Sequence, residues 1–256
     1  MKLHIYSYRY AEEVLQHAHY SMAWDEVTSI LRATPVFIWS GKSAKVKGLL
    51  VVQQVLNTYF DRRLAVDNGW EYHPLATSIA GSKLKADFRK KFGDLGIQVE
   101  IQFGNMARWY SDIFKFQAGY SAEAINVGVS VVPMSNLAKK IDQNVVNWER
   151  AKRELPSAKL SITLPIALIG LEDDSDTKVV DLRKTQFTDI RDFSGKGKEA
   201  NRWRVVHGYL AGEDLSKLGP TSPIGPMLPQ DEDETEDAES ESDGLSSREG
   251  SSDMDA

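Results

Sequence analysis

The sequence predicts an α/β protein with a central mixed β-sheet flanked by helices, and three observations carry that expectation. Segments with apolar residues at helical spacing alternate along the chain with short runs rich in β-branched residues. One segment switches cleanly to period two: Ile97, Val99, Ile101 and Phe103 alternate with Gln98, Glu100 and Gln102. The composition is 41% hydrophobic and 27% charged with no cysteine, which excludes a disulfide scaffold, thiol catalysis and cysteine-based zinc sites.

Taken in order, Val14, Leu15, Ala18, Met22, Val27, Ile30 and Leu31 predict helix across residues 11–31, and Pro35 then forces an extended Pro35–Trp39. Val46, Leu49, Leu50, Val52, Val55, Leu56, Tyr59, Phe60 and Leu64 form an apolar stripe that predicts a second helix. Asp87 and Phe88 enter a strand, Arg89, Lys90 and Lys91 turn the chain, and the strand of residues 97–103 returns with one polar face. Asn105 caps a helix over residues 106–120. A β-rich run at residues 125–132, a polar loop around Asp142 to Asn144, a short helix near Trp148 to Leu155 and an apolar strand at residues 164–171 follow.

Charge divides the chain. Of the 37 acidic and 31 basic residues, 12 acidic and one basic, Arg248, fall in residues 231–256. Residues 1–230 therefore hold 25 acidic and 30 basic residues, a body of about +5 joined to a tail of about −11. The tail is too polar to offset its ordering entropy and reads as disordered. Four prolines between Leu218 and Gln230 deny helix and sheet, so the expected organisation is one domain over residues 1–215 and a Pro/Gly-rich linker with acidic tail over 216–256. A basic body suits a polyanion, and the tail reads either as a solubilising appendage or as an internal mimic of DNA. No apolar run approaches the length of a membrane span, and the start lacks the apolar stretch of a secretion signal, so a cytoplasmic protein is expected.

Residues two apart in a strand share a face, so Glu100 and Gln102 project together, with Ile101 turned the other way into the core. If the hairpin brings Asp87 level with Glu100, two carboxylates and a backbone carbonyl make an oxygen-rich site suited to Mg²⁺. Such an ion can activate water and stabilise charge on a scissile phosphate. The pattern of an Asp, twelve residues and Glu-x-Gln is by itself very weak, and a solvated strand face with Asp87 capping a turn is its commoner explanation.

The wider stretch is more specific. Residues 85–134, KADFRKKFGDLGIQVEIQFGNMARWYSDIFKFQAGYSAEAINVGVSVVPM, resemble the catalytic region of the BglII/BstYI-type restriction endonucleases, a branch of the PD-(D/E)XK nuclease fold. VEIQFGN carries the closest likeness, including a Gln where most of that fold has Lys, and KVKGLLVVQQVLN has the family's Lys/Gly/Leu-then-Asn pattern. The resemblance spans residues 1–210 and implies a restriction-endonuclease-like core.

It further implies that Asp87 and Glu100 ligate the metal, that Ile101 lends its carbonyl, and that Gln102 stands for the lysine. A neutral Gln orients water by hydrogen bonding and supplies no positive charge. His73 falls near a fourth active-site position. The Asp87-to-Glu100 spacing is longer than in close relatives, which leaves Asp94 as an alternative first ligand. For DNA, the resemblance places Asn105, Asp142, Gln143 and Asn144 near base edges in the major groove. Arg89, Lys90, Lys91, Arg108 and Lys115 are candidate phosphate contacts. The implied enzyme is a Mg²⁺-dependent type II endonuclease acting as a homodimer on a palindrome in double-stranded DNA, of the GATC-containing kind cut to leave 5′ overhangs. A DNA methyltransferase is its expected functional partner. The alternatives are a structure- or modification-specific nuclease of the same fold and a catalytically inactive DNA-binding relative.

Overall fold

The structure, a computed structural model, describes residues 1–228 apart from 80 and 196. The expected acidic tail, residues 231–256, lies outside the described residues. Six strands form one mixed sheet: β1 (Lys2–Tyr8), β3 (Glu71–Tyr72), β4 (Phe88–Phe92), β5 (Leu95–Ile101), β6 (Val127–Pro133) and β7 (Ile166–Glu172). Their spatial order is β1-β7-β6-β5-β4-β3, and β2 (Val36–Ile38) and β8 (Val179–Asp181) make a separate parallel pair. β5, β6 and β7 run parallel, while β1, β4 and β3 are antiparallel to their neighbours. Parallel neighbours need a crossover, and a helix, α4 (Met106–Ser121), supplies it between β5 and β6.

The helices lie on both faces. On one, α2 (Ser21–Arg32), α3 (Gln53–Phe60) and α7 (Glu199–Leu210) cover a core that includes Val27, Leu56, Phe60, Val205, Ile97, Val99, Val129 and Ile169. On the other, α4 and α6 (Trp148–Glu154) cover a smaller core of Trp109, Phe116, Ala151, Val132, Ile166 and Leu168. The helices α1 (Ala11–Leu15) and α5 (Ser135–Ile141) complete the chain.

Several expectations are corrected. The helix expected across residues 11–31 is broken at residues 16–20, leaving α1 and α2. The second helix starts only at Gln53, because Gly48 takes a left-handed φ of 95° and the backbone ahead is claimed elsewhere. Leu50 N and Val51 N donate to Lys140 O, and Val52 N donates to Phe37 O. Its last turns, Asp61–Val66, widen to π geometry. Arg89, Lys90 and Lys91 form strand rather than turn, and the turn falls at Gly93, where φ is 65°.

The packed chain also runs past the expected boundary at 215. Leu218 is fully buried against Gly208, where even a Cβ would approach Leu218 Cδ2 to 2.3 Å. Arg204 Nε donates to Ser222 O at 2.9 Å, and Leu228 packs on the larger core. No helix among the described residues is long and apolar enough to cross a membrane.

Candidate active site

The register of the β4–β5 hairpin builds the site. Phe88 pairs with Val99, so one step further brings Asp87 level with Glu100 at the open end of the hairpin. Asp87 Oδ2 accepts a hydrogen bond from Ile101 N at 2.8 Å, and Asp87 O accepts one from His73 N at 3.1 Å. Asp94 sits at the other end of β5, beside the turn, where its Oδ1 accepts from Tyr20 at 2.9 Å. The hairpin thus separates the two candidates by the length of the strand.

A cleft of about 460 Å³ opens over this end of the sheet, between the two helix layers. Asp87, Ile101, Gln102 and His73 line it from the sheet side, Gln53, Asn57 and Asp61 from α3 and its π extension, and Arg108, Asp112 and Lys115 from α4. The α3 residues follow helical spacing, opposite the buried Val55, Leu56 and Tyr59. Glu100 is 0% exposed and does not line the cleft, whereas Lys115, which bonds it, does.

The polar face of β5 is sealed beneath α4, not solvated. Gln98 and Glu100 are both 0% exposed. Burial of such groups is tolerable only when each is hydrogen-bonded, and each is. Gln98 Nε2 donates to Glu100 Oε1 at 2.7 Å, and Arg89 donates to Gln98 Oε1 at 3.2 Å. Lys115 Nζ donates to Glu100 Oε2 at 3.1 Å and to Asp112 Oδ1 at 3.0 Å. Gln102 Nε2 donates to Asp112 Oδ2 at 2.7 Å while its Oε1 accepts from Gly104 N at 2.7 Å. That fold-back explains Gly104: a Cβ there would lie 2.6 Å from Gln102 Oε1.

Burial, then the charge of Asp87, push the Glu100 carboxyl well above the usual carboxylate range. Burial likewise pushes Asp112 up to about 6. For Lys115 burial acts to lower the ammonium, but Glu100, Asp87 and Asp112 outweigh it and hold it above the ordinary lysine range. The cluster therefore keeps Lys115 charged and disfavours ionisation of both Glu100 and Asp112, because one ammonium cannot balance two buried carboxylates with Asp87 beside them.

Asp87, Glu100 and the Ile101 carbonyl are hard oxygen donors of the kind a divalent cation of the Mg²⁺ class takes. Among the described residues, no group of three or more His, Cys, Asp or Glu side chains is disposed to hold a metal. The donor chemistry fits such an ion, and the lysine now bonded to Glu100 supplies cationic charge to the same carboxylate.

The remaining sequence candidates separate. His73 adopts a left-handed φ of 49° at the cleft, with its ring stacked on Tyr72 at 3.8 Å. Asn105 caps α4, accepting from Arg108 N at 3.1 Å. Asp142, Gln143 and Asn144 form an exposed loop whose next residue, Val145, bridges Asn105, so the loop flanks the exit of β5. Three of the proposed phosphate contacts are engaged with protein instead. Lys90 Nζ pairs with Glu26 Oε1 at 2.8 Å and Asn68 O at 2.7 Å, Arg89 bonds Leu75 O at 2.9 Å as well as Gln98, and Lys115 is held as above. Lys91 is exposed.

The residues that sequence reasoning missed are Gln98, Asp112 and the inward role of Lys115. A signal existed: Asp112 occupies a position on the apolar stripe of α4 that otherwise holds Trp109, Ile113, Phe116 and Gly119. A carboxylate there is buried, and a buried carboxylate needs a partner.

Carboxylates at the end of a strand in a mixed sheet, beside a cleft between two helix layers, define a restriction-endonuclease-like α/β protein. Residues 3–171 match the family described as "Restriction endonuclease BglII/BglIII". The chain belongs to that family and is a site-specific deoxyribonuclease. Among solved structures, it is similar to restriction endonuclease BglII complexed with a DNA 16-mer, at TM-score 0.57 and 23% identity over 75% of this chain and 87% of that one. Free BglII aligns at TM-score 0.47 and 20% identity over 71% of this chain and 85% of that one. No curated protein sequence matches the chain.

Proposed function

We propose that the chain is a Mg²⁺-dependent type II restriction endonuclease that hydrolyses double-stranded DNA at a short palindrome, as a homodimer in the cytoplasm. The observation that carries the reading is the hairpin register that sets cleft-lining Asp87 level with Glu100 buried behind it, within a chain of the BglII/BglIII family. Asp87, Glu100 and the Ile101 carbonyl would hold the ion, whose chemistry when bound is to activate water and offset phosphate charge. Gln102 is fixed at both ends of its amide by Gly104 and Asp112, so it orients rather than transfers protons. His73 holds the Asp87 main chain through its own backbone, a positioning role.

Asn105 and the flanking Asp142–Asn144 loop are proposed to read base edges, Asn and Gln suiting adenine and Asp suiting cytosine. Arg108, in the cleft wall, and exposed Lys91 are proposed as contacts to backbone phosphates. That BglII was crystallised with a DNA 16-mer supports duplex DNA as the substrate. Two-fold DNA symmetry makes a homodimer the natural arrangement, and a GATC-containing site, 5′ overhangs and a protecting methyltransferase complete the reading.

The test is digestion of unmethylated phage and plasmid DNA with and without Mg²⁺, followed by sequencing of fragment ends. One shared palindrome at every Mg²⁺-dependent end supports the proposal. Ends without a common sequence favour a structure- or modification-specific nuclease, and no cutting by folded protein favours an inactive DNA-binding relative. The acidic tail is proposed to compete with DNA, since Leu228, which precedes it closely, lines the cleft. Truncation after Gln230 then tightens non-specific DNA binding most at low salt, and equal low-salt affinities overturn that role.

A further inference from the structure

The α4 side chains Asp112 and Lys115 have no part in the reading of the sequence as a metal site, yet they are the groups that touch its buried carboxylate. We propose that Lys115 is a resident counter-ion of the active site: its ammonium occupies the Glu100 carboxylate in the metal-free protein, and a divalent cation enters by displacing it onto Asp112. The proposal rests on Asp87 and Glu100 being the metal ligands.

Four observations carry it. Lys115 Nζ bonds Glu100 Oε2 at 3.1 Å, so the lysine occupies one of the two carboxylate oxygens that Glu100 would offer an ion. Lys115 lines the cleft while Glu100 does not, so an ion arriving from the cleft reaches the lysine before it reaches Glu100. Asp112 Oδ1 lies 3.0 Å from the same Nζ, three residues back on the same helix, giving the ammonium a second seat that requires no large movement. Gln102, from the end of β5, donates to Asp112 Oδ2 at 2.7 Å and so holds that seat in place.

The physics behind the arrangement is the cost of a bare buried carboxylate. Glu100 is fully buried, and without a cation beside it the site would be strained or neutralised. A lysine on a helix can supply that charge reversibly, because its flexible stem lets one ammonium serve either of two carboxylates. Asp112 and Lys115 are thus positioning residues that act on the metal through Glu100.

Opposite signs distinguish this from a structural role. Removing the ammonium, in Lys115→Met, removes both a competitor and a repelling charge, so Ca²⁺, a hard-oxygen probe ion, should bind about tenfold more tightly, the size of effect one unit charge exerts on a neighbouring carboxylate. Asp112→Asn removes the alternative seat and should weaken Ca²⁺ binding several-fold. Lys115→Arg, which keeps the charge, should stay near the wild-type affinity. A merely structural lysine predicts weaker binding on its removal.

The measurement is isothermal titration calorimetry of the full-length protein with Ca²⁺, with circular dichroism to verify folding. Tighter binding by Lys115→Met with weaker binding by Asp112→Asn supports the proposal. Unchanged or weaker binding by folded Lys115→Met overturns it. If Lys115→Met does not fold, unchanged affinity in Asp112→Asn overturns it instead. Glu100→Gln separates the two levels: wild-type Ca²⁺ affinity in that variant removes the metal site itself, whereas loss in Glu100→Gln beside no change in Lys115→Met removes only the counter-ion.

Discussion

The two faces of β5 are equally dry and differently built. Ile97 and Val99 point into the larger core with Leu56, Phe60 and Val129, and that face is held by apolar burial alone. Gln98 and Glu100, their immediate neighbours, point under α4 and are just as buried, but both are closed in by hydrogen-bonded and charged partners. Alternation along a strand therefore reports two environments and not which of them is wet. The proposed site uses the second face, because a network assembled around a carboxylate offers more than one arrangement of charge, whereas packed methyl groups have only one.

The largest effect that tests the contrast is a carboxylate on the wrong face. Val99→Asp places a charge where no donor waits and should cost about 4 kcal/mol or more of folding stability. Glu100→Gln, one residue on, should cost less, because it removes a charge from the interior and Lys115 keeps Asp112 as its partner. Urea denaturation of both variants decides it, and comparable losses would show that the two faces are energetically alike. Cleavage separates them next. Glu100→Gln and Asp87→Asn should each lower Mg²⁺-dependent cutting on the order of 10³-fold, corresponding to several kcal/mol of charge stabilisation, and near-normal cutting by either would break the ligand assignment.

A smaller effect appears against pH. Asp112 is raised from 3.8 to about 6, so the folded, metal-free protein binds a proton there more tightly than the unfolded chain does. Stability is then highest below the unfolded value and falls as pH rises from about 4 to about 6. Asp112→Asn removes that titration. The melting temperature of the variant should gain on the wild type across this window and hold its advantage above it, and a difference independent of pH would show that Asp112 is not raised by burial.

Much of this fold is legible in the sequence, and the omissions have physical causes. The strand at β5, the capped helix α4 and the strands β6 and β7 follow from period, cap and composition, signals that act within a few residues. The hairpin register that brings Asp87 to Glu100 is also local. What was not legible is set by partners far along the chain. The helix expected from Val46 yields to carbonyls of Lys140 and Phe37, and β8 exists by pairing with β2. In the site, Lys115 reads as one more surface lysine until α4 is laid over β5, and Lys90 reads as a phosphate contact until Glu26 is placed beside it.

The finest test compares adjacent residues of equal burial. Ile97→Val removes one methylene from the apolar face and should cost about 1 kcal/mol, with cleavage and Ca²⁺ affinity unchanged. Gln98→Leu keeps the volume roughly constant but removes the donor to Glu100 and the acceptor for Arg89, and should cost about 1–3 kcal/mol. The energies overlap, so stability alone cannot tell the faces apart. Function can, because Gln98 fixes Glu100 Oε1 at 2.7 Å and Ile97 fixes nothing polar. Ca²⁺ affinity should therefore change several-fold in Gln98→Leu and stay constant in Ile97→Val. Equal affinities in the two variants would mean that the network under α4 seals the sheet without tuning the carboxylate it surrounds.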